Sequence, residues 1–371
     1  MRPRAKLGIS IFTAVVATVV MVVGASGTQA AQSAQQTYVI GAVAGLTGNE
    51  SQFGVPWSEG VKLAASQLKS SGVRVVVADT QSSATQSVNA AKKLVEVDKA
   101  KVLVVGSYGG FFAIQSYAAS KGVLVINASA SSPTIRKLKG SVVSVLALDD
   151  TVGGGLADWA YQRGYRSAAF IVGNDPYSTG VKDFVGAAFK NKGGRIVETA
   201  IVQSGQPDYR PEMTKVANAD PDVIFSTTFS NDAKLQFKQG IELGLDAPWF
   251  QLYPTVSGLD DYATAYGKLF GLEVGWLSNA AKAWRAAYKK QFKKDATVPW
   301  PALAYDATML GARGLTSGAA KAPAVEAAIL KAAKTYSGPS GKFSFDKDQT
   351  RVNAVFQKLA LVAPGKYVPA R

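Results

Sequence analysis

Three loops of this 371-residue chain carry glycine, hydroxyl and aromatic residues in an arrangement suited to binding a small anion. The loops span residues 45–54, 106–111 and 127–133. Gly109 and Gly110 would let the backbone approach a bound group closely, and free N–H groups at a helix start favour negative charge. Ser129 and Ser131 would add hydroxyl donors, and Phe53 an apolar surface. The residue types therefore predict an anion-binding site with an aromatic neighbour.

The chain lacks the residues on which most hydrolytic chemistry depends. It contains neither histidine nor cysteine, which excludes Ser-His-Asp and Cys-His catalytic groupings and His-ligated zinc. An enzyme using Ser66 and Lys69 remains an alternative, but both residues fall in an amphipathic segment and are interpreted as its solvated face. The prediction is a binding protein rather than an enzyme, with no cofactor or metal.

The loops are positioned by an alternation of short β-branched runs and amphipathic segments. Continuous apolar runs, typical of strands buried on both faces, occur at 38–44, 73–78, 102–105, 123–126 and 142–146. Segments with helical spacing lie between them, and the alternation restarts at 168–172. Two successive sets of strand-helix-strand units predict an α/β protein with two lobes, each built on a parallel sheet. Ligands bind such sheets at the carboxyl ends of the strands, where the three loops lie.

The first thirty residues are predicted to be a secretory signal. Basic residues within 1–6 precede an apolar run at 7–23, and Thr28-Gln29-Ala30 places small residues where an export protease cuts. Cleavage is expected after Ala30, with Ala31 as the alternative. A membrane anchor is the competing interpretation, but the run is short for a span of about 20 residues and no stop-transfer charges follow it. Without a cysteine to carry a lipid, the product is expected to be untethered in the periplasm.

The positive charge of the chain does not indicate a nucleic-acid partner. The formal net charge is +15, and removal of the three cations of the predicted signal leaves +12. The densest lysine cluster, at 289–294, falls on a predicted helix whose aromatic residues Trp284, Tyr288 and Phe292 form an apolar stripe. The lysines are interpreted as its solvated face. Neither a stacking motif nor an Arg-rich segment accompanies them, so no nucleic acid is expected.

Several distinct short motifs are spread along essentially the whole chain after the predicted signal. They include Tyr38-Val39-Ile40-Gly41, Leu46-Thr47-Gly48, Gln52-Phe53-Gly54, Asp175-Pro176-Tyr177-Ser178-Thr179-Gly180, Asp220-Pro221-Asp222-Val223-Ile224, Ala304-Tyr305-Asp306-Ala307 and Gly341-Lys342-Phe343-Ser344-Phe345-Asp346. In this order the motifs resemble those of the periplasmic leucine/isoleucine/valine-binding protein family, the solute receptors of ABC importers. The resemblance implies the type I periplasmic-binding-protein fold, in which two Rossmann-like lobes joined by three crossovers close on a solute like a Venus flytrap.

The resemblance also implies a division of the chain and a set of binding residues. The first lobe would hold residues 38–148 and 276–339, and the second 149–275 and 340–371. The solute's carboxylate would lie against Gly110, Ser129 and Ser131, and aromatic side chains would surround its body, although core packing is an alternative role for those rings. The complete predicted set is Phe53, Gly109, Gly110, Ser129, Ala130, Ser131, Asp149, Tyr177, Phe229, Tyr253 and Tyr305.

One position departs from the amino-acid-binding members of that family. They carry an acidic residue for the solute's ammonium group where this chain has Tyr253. A hydrophobic or aromatic carboxylate without an ammonium group is therefore favoured over an amino acid. Glu50, Asp149 or Asp232 could replace the missing acid, so an amino acid stays open as the solute. The expected partner is an ABC permease in the inner membrane, with a receptor that senses the solute as the alternative, and the protein is expected to be a monomer.

Overall fold

The computed structural model describes residues 37–138, 140–317 and 321–371. The predicted secretory signal, 1–30, lies outside these residues. The strands are β1 (Tyr38–Ala44), β2 (Val73–Asp79), β3 (Val102–Gly106), β4 (Leu124–Asn127), β5 (Val142–Ala147), β6 (Ser167–Gly173), β7 (Arg195–Val202), β8 (Val223–Ser226), β9 (Trp249–Leu252), β10 (Leu269–Val274), β11 (Ser337–Gly338), β12 (Gly341–Lys342), β13 (Thr350–Arg351), β14 (Phe356–Ala363) and β15 (Lys366–Pro369).

Helices follow most of the strands. They are α1 (Ser51–Gln67), α2 (Ala84–Lys92), α3 (Tyr108–Ser120), α4 (Asp149–Gln162), α5 (Pro176–Asn191), α6 (Arg210–Asn218), α7 (Ser230–Glu242), α8 (Lys282–Phe292), α9 (Trp300–Thr316) and α10 (Ala322–Ala333). A π-helical segment, Lys93–Val97, continues α2. Short 3₁₀ turns lie at Pro133–Lys137, Pro254–Val256, Ala263–Ala265, Gly275–Leu277 and Asn279–Ala281. None of the helices in the described ranges is long and apolar enough to cross a membrane.

Two sheets organise the molecule, as the repeated alternation predicts. The first has the strand order β13-β5-β4-β3-β1-β2 and is parallel throughout. The second has the order β15-β14-β10-β9-β8-β6-β7. At its edge, β14 runs antiparallel to both of its neighbours, β10 and β15. Strands such as β3 and β8 are buried along their whole length, because helices cover both faces of each sheet. The chain crosses between the sheets after β5, after β10 and after β13.

The predicted division of the chain differs from the structure near the C-terminus. Residues 340–371 were expected in the second lobe, but β13 pairs with β5 of the first sheet. Arg351 links this strand to the first sheet, because its buried guanidinium donates to Val145 O of β5 at 3.3 Å. Only β14 and β15 of that segment join the second sheet. The other boundaries of the two lobes stay predictions.

The helix that carries the lysine cluster has the predicted two faces. Trp284 and Tyr288 of α8 are buried in a hydrophobic core that also includes residues of the second sheet. Lys289 pairs with Asp295 at 2.9 Å, and Lys294, beyond the helix, pairs with Glu59 at 2.8 Å. The basic residues therefore lie on the solvated face of a packed helix.

Candidate functional site

A cavity of about 1150 Å³ opens at the carboxyl ends of strands from both sheets. On the first sheet its walls come from the loops after β1, β3 and β4, and on the second from those after β6, β8 and β9. The parallel direction of these strands brings residues distant in sequence to one edge. Aromatic rings and hydroxyl groups make up much of the wall. The cavity is large enough for a small organic solute.

The loop after β4 presents serine side chains to the cavity. Asn127, the last residue of β4, fixes the loop: its amide accepts a hydrogen bond from Ala130 N at 2.9 Å and donates to Ala130 O at 2.6 Å. Ala130 is completely buried beneath the loop, whereas Ser129 and Ser131 line the cavity. Both hydroxyls are thus held at the wall by a buried amide.

Helix α3 begins at the neighbouring wall. Ser107 caps the helix, and its Oγ accepts a hydrogen bond from Gly110 N at 3.0 Å. That N–H is therefore already engaged and is not free for a solute. A Cβ atom at Gly110 would lie 2.8 Å from the hydroxyls of Ser107 and Ser87, so close packing explains the glycine. Gly109 lines the cavity instead.

Aromatic rings from the two sheets meet across the cavity. The ring centroids of Phe53 and Phe229 are 6.3 Å apart, and those of Tyr108 and Tyr177 are 6.2 Å apart. Tyr177 and Phe229 also contact each other at 6.0 Å. Rings at these distances make favourable edge-to-face and tilted contacts. They form a continuous apolar surface that spans both walls.

Tyr253 occupies a strained position on the second wall. It follows β9 in the left-handed region, with φ 59° and ψ 57°, and precedes a proline. A bulky residue rarely adopts this conformation, and such strain is concentrated at functional sites. Its side chain is buried, and its hydroxyl has no hydrogen-bond partner among the described residues. Burial raises the pKa of Tyr253 well above its ordinary value, so the hydroxyl keeps its proton.

Asp149 begins α4, at the first crossover between the sheets. It is 2% exposed, and its N–H donates to Ser131 O at 2.8 Å. Burial raises the pKa of its carboxyl to about 8, and the neighbouring Ser131 side chain opposes that shift in part. Its Oδ1 has no partner in the described part of the chain. Burial therefore favours the uncharged form of the carboxyl.

The sequence matches a family model described as Periplasmic binding protein over residues 37–361. The chain belongs to the periplasmic binding protein family. Such proteins bind substrates and are not enzymes, which confirms the predicted class. A relative from Pseudomonas aeruginosa named amino acid binding protein is 26% identical over 243 residues. That match spans 62% of this chain and 63% of the relative.

Solved structures similar to this periplasmic binding protein share its fold. The branched-chain amino acid binding protein LivJ of Streptococcus pneumoniae, in complex with isoleucine, aligns with a TM-score of 0.80 at 21% identity, covering 89% of this chain and 97% of LivJ. A solute-binding protein of Rhodopseudomonas palustris with 3,4-dihydroxybenzoic acid aligns at 0.78 and 22% identity, covering 90% and 95%. Another from that species, with benzoate, aligns at 0.78 and 18%, with the same coverage. These likenesses confirm the predicted two-lobe type I fold and the resemblance to leucine/isoleucine/valine-binding proteins.

The cavity of this periplasmic binding protein brings together most of the predicted binding residues. Those that line it are Phe53, Gly109, Ser129, Ser131, Tyr177, Phe229 and Tyr253. Gly110 and Ala130 lie beneath the wall, and Asp149 lies behind Ser131. Tyr305 is turned away, because its hydroxyl donates to Gln67 Oε1 at 2.6 Å and its ring packs 6.3 Å from that of Trp284.

Three acids were considered as substitutes for the missing ammonium partner, and their surroundings differ. Glu50 lines the cavity, and its buried Oε2 has no partner among the described residues. Asp232 is outside the lining and is engaged by Tyr209 at 2.9 Å and by the hydroxyl of Ser204 at 2.5 Å. These hydrogen bonds hold the Asp232 carboxylate outside the cavity wall. Glu50 and Asp149 are the two alternatives that lie at or beside the site.

Three tryptophan and tyrosine residues in the wall were missed by sequence reasoning. Trp57 lies over Gly106, where an added Cβ would stand 2.3 Å from the indole ring. Trp300 contacts Phe53 at 6.0 Å and Tyr253 at 5.3 Å. Tyr108 begins α3. A glycine at the end of a buried strand was the available signal for Trp57, since it indicates that another group approaches the backbone closely.

Proposed function

We propose that this protein captures a small hydrophobic or aromatic carboxylate in the periplasm and delivers it to an ABC permease in the inner membrane. The observation that carries the proposal is Tyr253, a buried phenol on the cavity wall where amino-acid receptors are expected to carry an acid. A phenol that keeps its proton does not neutralise an ammonium group. It can instead donate a hydrogen bond to a solute oxygen.

The rest of the cavity supports a carboxylate with an apolar body. Ser129 and Ser131 place hydroxyls at the wall, beside the start of α3, and both features favour a negative group. Phe53, Tyr177 and Phe229 supply the apolar surface. Each Å² of apolar solute surface that they cover contributes about 25 cal/mol. The benzoate and 3,4-dihydroxybenzoic acid complexes of similar fold are consistent with this solute class.

An amino acid is the second candidate, because Glu50 lies in the cavity wall. Its partner-free Oε2 could accept a hydrogen bond from an ammonium group. The relative's name, amino acid binding protein, and the isoleucine complex of LivJ point the same way. The two candidates differ in one chemical group, so they can be separated by a matched pair of solutes.

Calorimetric titration with phenylpropionate and phenylalanine tests the solute class. The two differ only by the α-ammonium group, and a buried ammonium without a charge partner costs several kcal/mol. We expect phenylpropionate to bind at least about tenfold more tightly, a free-energy difference of about 1.4 kcal/mol. Tighter binding of phenylalanine would assign the ammonium group to an acid such as Glu50. Glu50→Gln then serves as the matched variant, because it should weaken phenylalanine alone.

Solute uptake by cells tests the delivery step. Cells without this protein should lose high-affinity uptake of the bound carboxylate and regain it when the protein is restored. Normal uptake in its absence, with a lost transcriptional response to the solute, would instead indicate a sensor.

A further inference from the structure

Several residues of the cavity wall carry a buried polar atom that has no hydrogen-bond partner among the described residues. The Tyr253 hydroxyl is one, and the proposed function gives it a solute oxygen to bond. The others are Oε2 of Glu50 and the indole Nε1 atoms of Trp57 and Trp300. Buried polar groups are almost always hydrogen-bonded, because an unpaired one is costly. Their place on the wall indicates that a bound solute supplies the missing partners.

The paired strands β1 and β3 bring Glu50 and Trp57 to the same part of the wall. Ala44, the last residue of β1, pairs with Gly106, the last residue of β3. The Trp57 ring covers Gly106, where an added Cβ would stand 2.3 Å from it. An added Cβ at Gly45, directly after β1, would stand 3.1 Å from Glu50 Oε2. The carboxylate and the indole therefore cover neighbouring strand ends.

The Glu50 acceptor is held in place without a solute. Its backbone N–H donates to Ser82 Oγ at 2.8 Å, and the same hydroxyl donates to Thr47 O at 2.7 Å. The loop after β2 thus fixes the loop that carries Glu50. A group that is already oriented loses little entropy when a solute binds to it.

The mixture of donors and an acceptor indicates which solute group fits. The Glu50 carboxylate accepts hydrogen bonds, whereas the indole N–H groups of Trp57 and Trp300 only donate them. An ammonium group has donors alone, so it would bond to Glu50 and leave both indoles unpaired. A hydroxyl donates and accepts, so it can bond to Glu50 and to an indole N–H. The rings of Phe53 and Trp300, 6.0 Å apart, favour a hydroxyl carried on an aromatic ring.

These polar groups are separate from the serines that are expected to bind the carboxylate. Glu50 follows β1, whereas Ser129 and Ser131 follow β4, and β3 lies between those two strands in the sheet. Two strand spacings correspond to about 10 Å. A hydroxyl at Glu50 and a carboxylate at the serines would therefore lie at opposite ends of an elongated solute.

We propose that Glu50, Trp57 and Trp300 form a second polar subsite, which binds a phenolic hydroxyl. The solute is then a hydroxylated aromatic carboxylate, with its ring against the apolar wall. This inference rests on the proposed function and narrows its solute class. Glu50 and the indoles determine specificity at the ring end of the solute, whereas the serines and Tyr253 act at its carboxylate end.

Calorimetric titration at pH 7 with ring-substituted phenylpropionates tests the subsite. The 3-hydroxy and 4-hydroxy compounds are each compared with the fluoro compound substituted at the same position. Fluorine is similar in size to a hydroxyl but cannot donate a hydrogen bond. We expect the better hydroxy isomer to bind about 10- to 100-fold more tightly than its fluoro counterpart, since it gains a hydrogen bond to a charged group.

Variants assign the preference to the subsite. Glu50→Met removes the acceptor at similar volume and should bring the hydroxy-to-fluoro ratio of affinities close to one. Trp57→Phe keeps a ring but removes the N–H, and should lower the ratio by about two- to tenfold. Trp284→Phe is the matched control, because its Nε1 is also buried and unpartnered among the described residues but the residue does not line the cavity. Its ratio should equal that of the original protein.

Two results would overturn the inference while leaving the proposed function in place. Equal affinity for the hydroxy and fluoro compounds at both ring positions would mean that solvent already satisfies these atoms, and a preference that survives Glu50→Met would exclude Glu50 as the acceptor. Tighter binding of phenylalanine than of phenylpropionate, lost in Glu50→Met, would assign Glu50 to an ammonium group instead. Failure of every phenylpropionate to bind the folded protein would reject the proposed function itself.

Discussion

Two buried acids, Asp306 and Asp149, have opposite surroundings. Asp306 of α9 accepts hydrogen bonds from Tyr336 OH at 2.6 Å and Ser340 N at 2.9 Å, and the charge of buried Arg351 acts on it. Asp149 donates its backbone N–H to Ser131 O, and among the described residues its Oδ1 has no partner and its carboxyl forms no salt bridge. Burial raises both pKa values, to about 6 for Asp306 and about 8 for Asp149. A satisfied buried acid stabilises the fold, whereas an unsatisfied one beside a cavity is available for function.

The largest expected effect comes from removing the cation beside Asp306. Arg351→Met keeps most of the side-chain volume but leaves the oxygens of Ser340 and Lys342 without their donors. Removing one member of a buried charged group costs about 3–5 kcal/mol. Denaturant unfolding should show that loss. Because Arg351 is not among the residues that line the cavity, phenylpropionate affinity of the folded variant should be unchanged, and a parallel loss of affinity would place Arg351 in the site.

Asp306→Asn should destabilise the protein by about 2–3 kcal/mol, since an amide cannot accept all the hydrogen bonds made by the carboxylate. One amide position would face a donor from Tyr336 or Ser340. Thermal unfolding at pH 7 measures the loss. A variant as stable as the original protein would show that Asp306 is as poorly satisfied as Asp149, and the contrast between the two acids would fail.

The same replacement at Asp149 should have the opposite sign. Its folded-state pKa of about 8 lies above the ordinary value, so its contribution to stability is present at low pH and is lost as pH rises from about 4 to 8. Asp149→Asn removes that loss. We expect the variant without solute to be more stable at pH 8 by about 1–3 kcal/mol and to differ little at pH 4. Melting curves across this pH range would reveal a pH-independent difference if the assignment is wrong.

The sequence predicted the sheets and the loops at their edges better than it predicted which side chains face the cavity. Strand runs buried on both faces identify parallel sheets, and strand ends then locate Ser129, Ser131 and Tyr177. Helix rotation is harder. Trp300 and Tyr305 lie on the same helix five positions apart, which is about 140° around its axis, so only one can face the cavity. The family motif pointed to Tyr305, but Trp300 lines the wall.

Burial and capping also limit what a sequence can show. Gly110 was expected to bind a carboxylate, but Ser107 engages its N–H as a helix cap. A glycine at a helix start is compatible with both roles, an N–H that binds a solute and an N–H that bonds to the capping residue. Asp149 forms no salt bridge among the described residues, whereas its neighbour Asp150 is paired with Arg136. No local pattern in the sequence reports that geometry.

The smallest expected effect on stability comes from Tyr253→Phe, which extends the contrast from acids to hydroxyls. Because the hydroxyl has no partner among the described residues, its removal should change the free energy of unfolding by less than about 0.5 kcal/mol. Tyr209→Phe is the matched control: its buried hydroxyl bonds to Asp232 at 2.9 Å and Gln203 O at 2.9 Å, so that variant should lose about 1–2 kcal/mol.

Solute affinity should reverse the order of the two tyrosine variants. A hydrogen bond from an uncharged phenol to a carboxylate contributes about 1.5–3 kcal/mol, so Tyr253→Phe should weaken phenylpropionate binding by about 10- to 100-fold. Tyr209 belongs to the core of the second lobe and lies outside the cavity wall, so its variant should bind normally. Calorimetry and unfolding on both variants give the comparison. Unchanged affinity in Tyr253→Phe would show that its strained backbone places the ring, rather than the hydroxyl, against the solute.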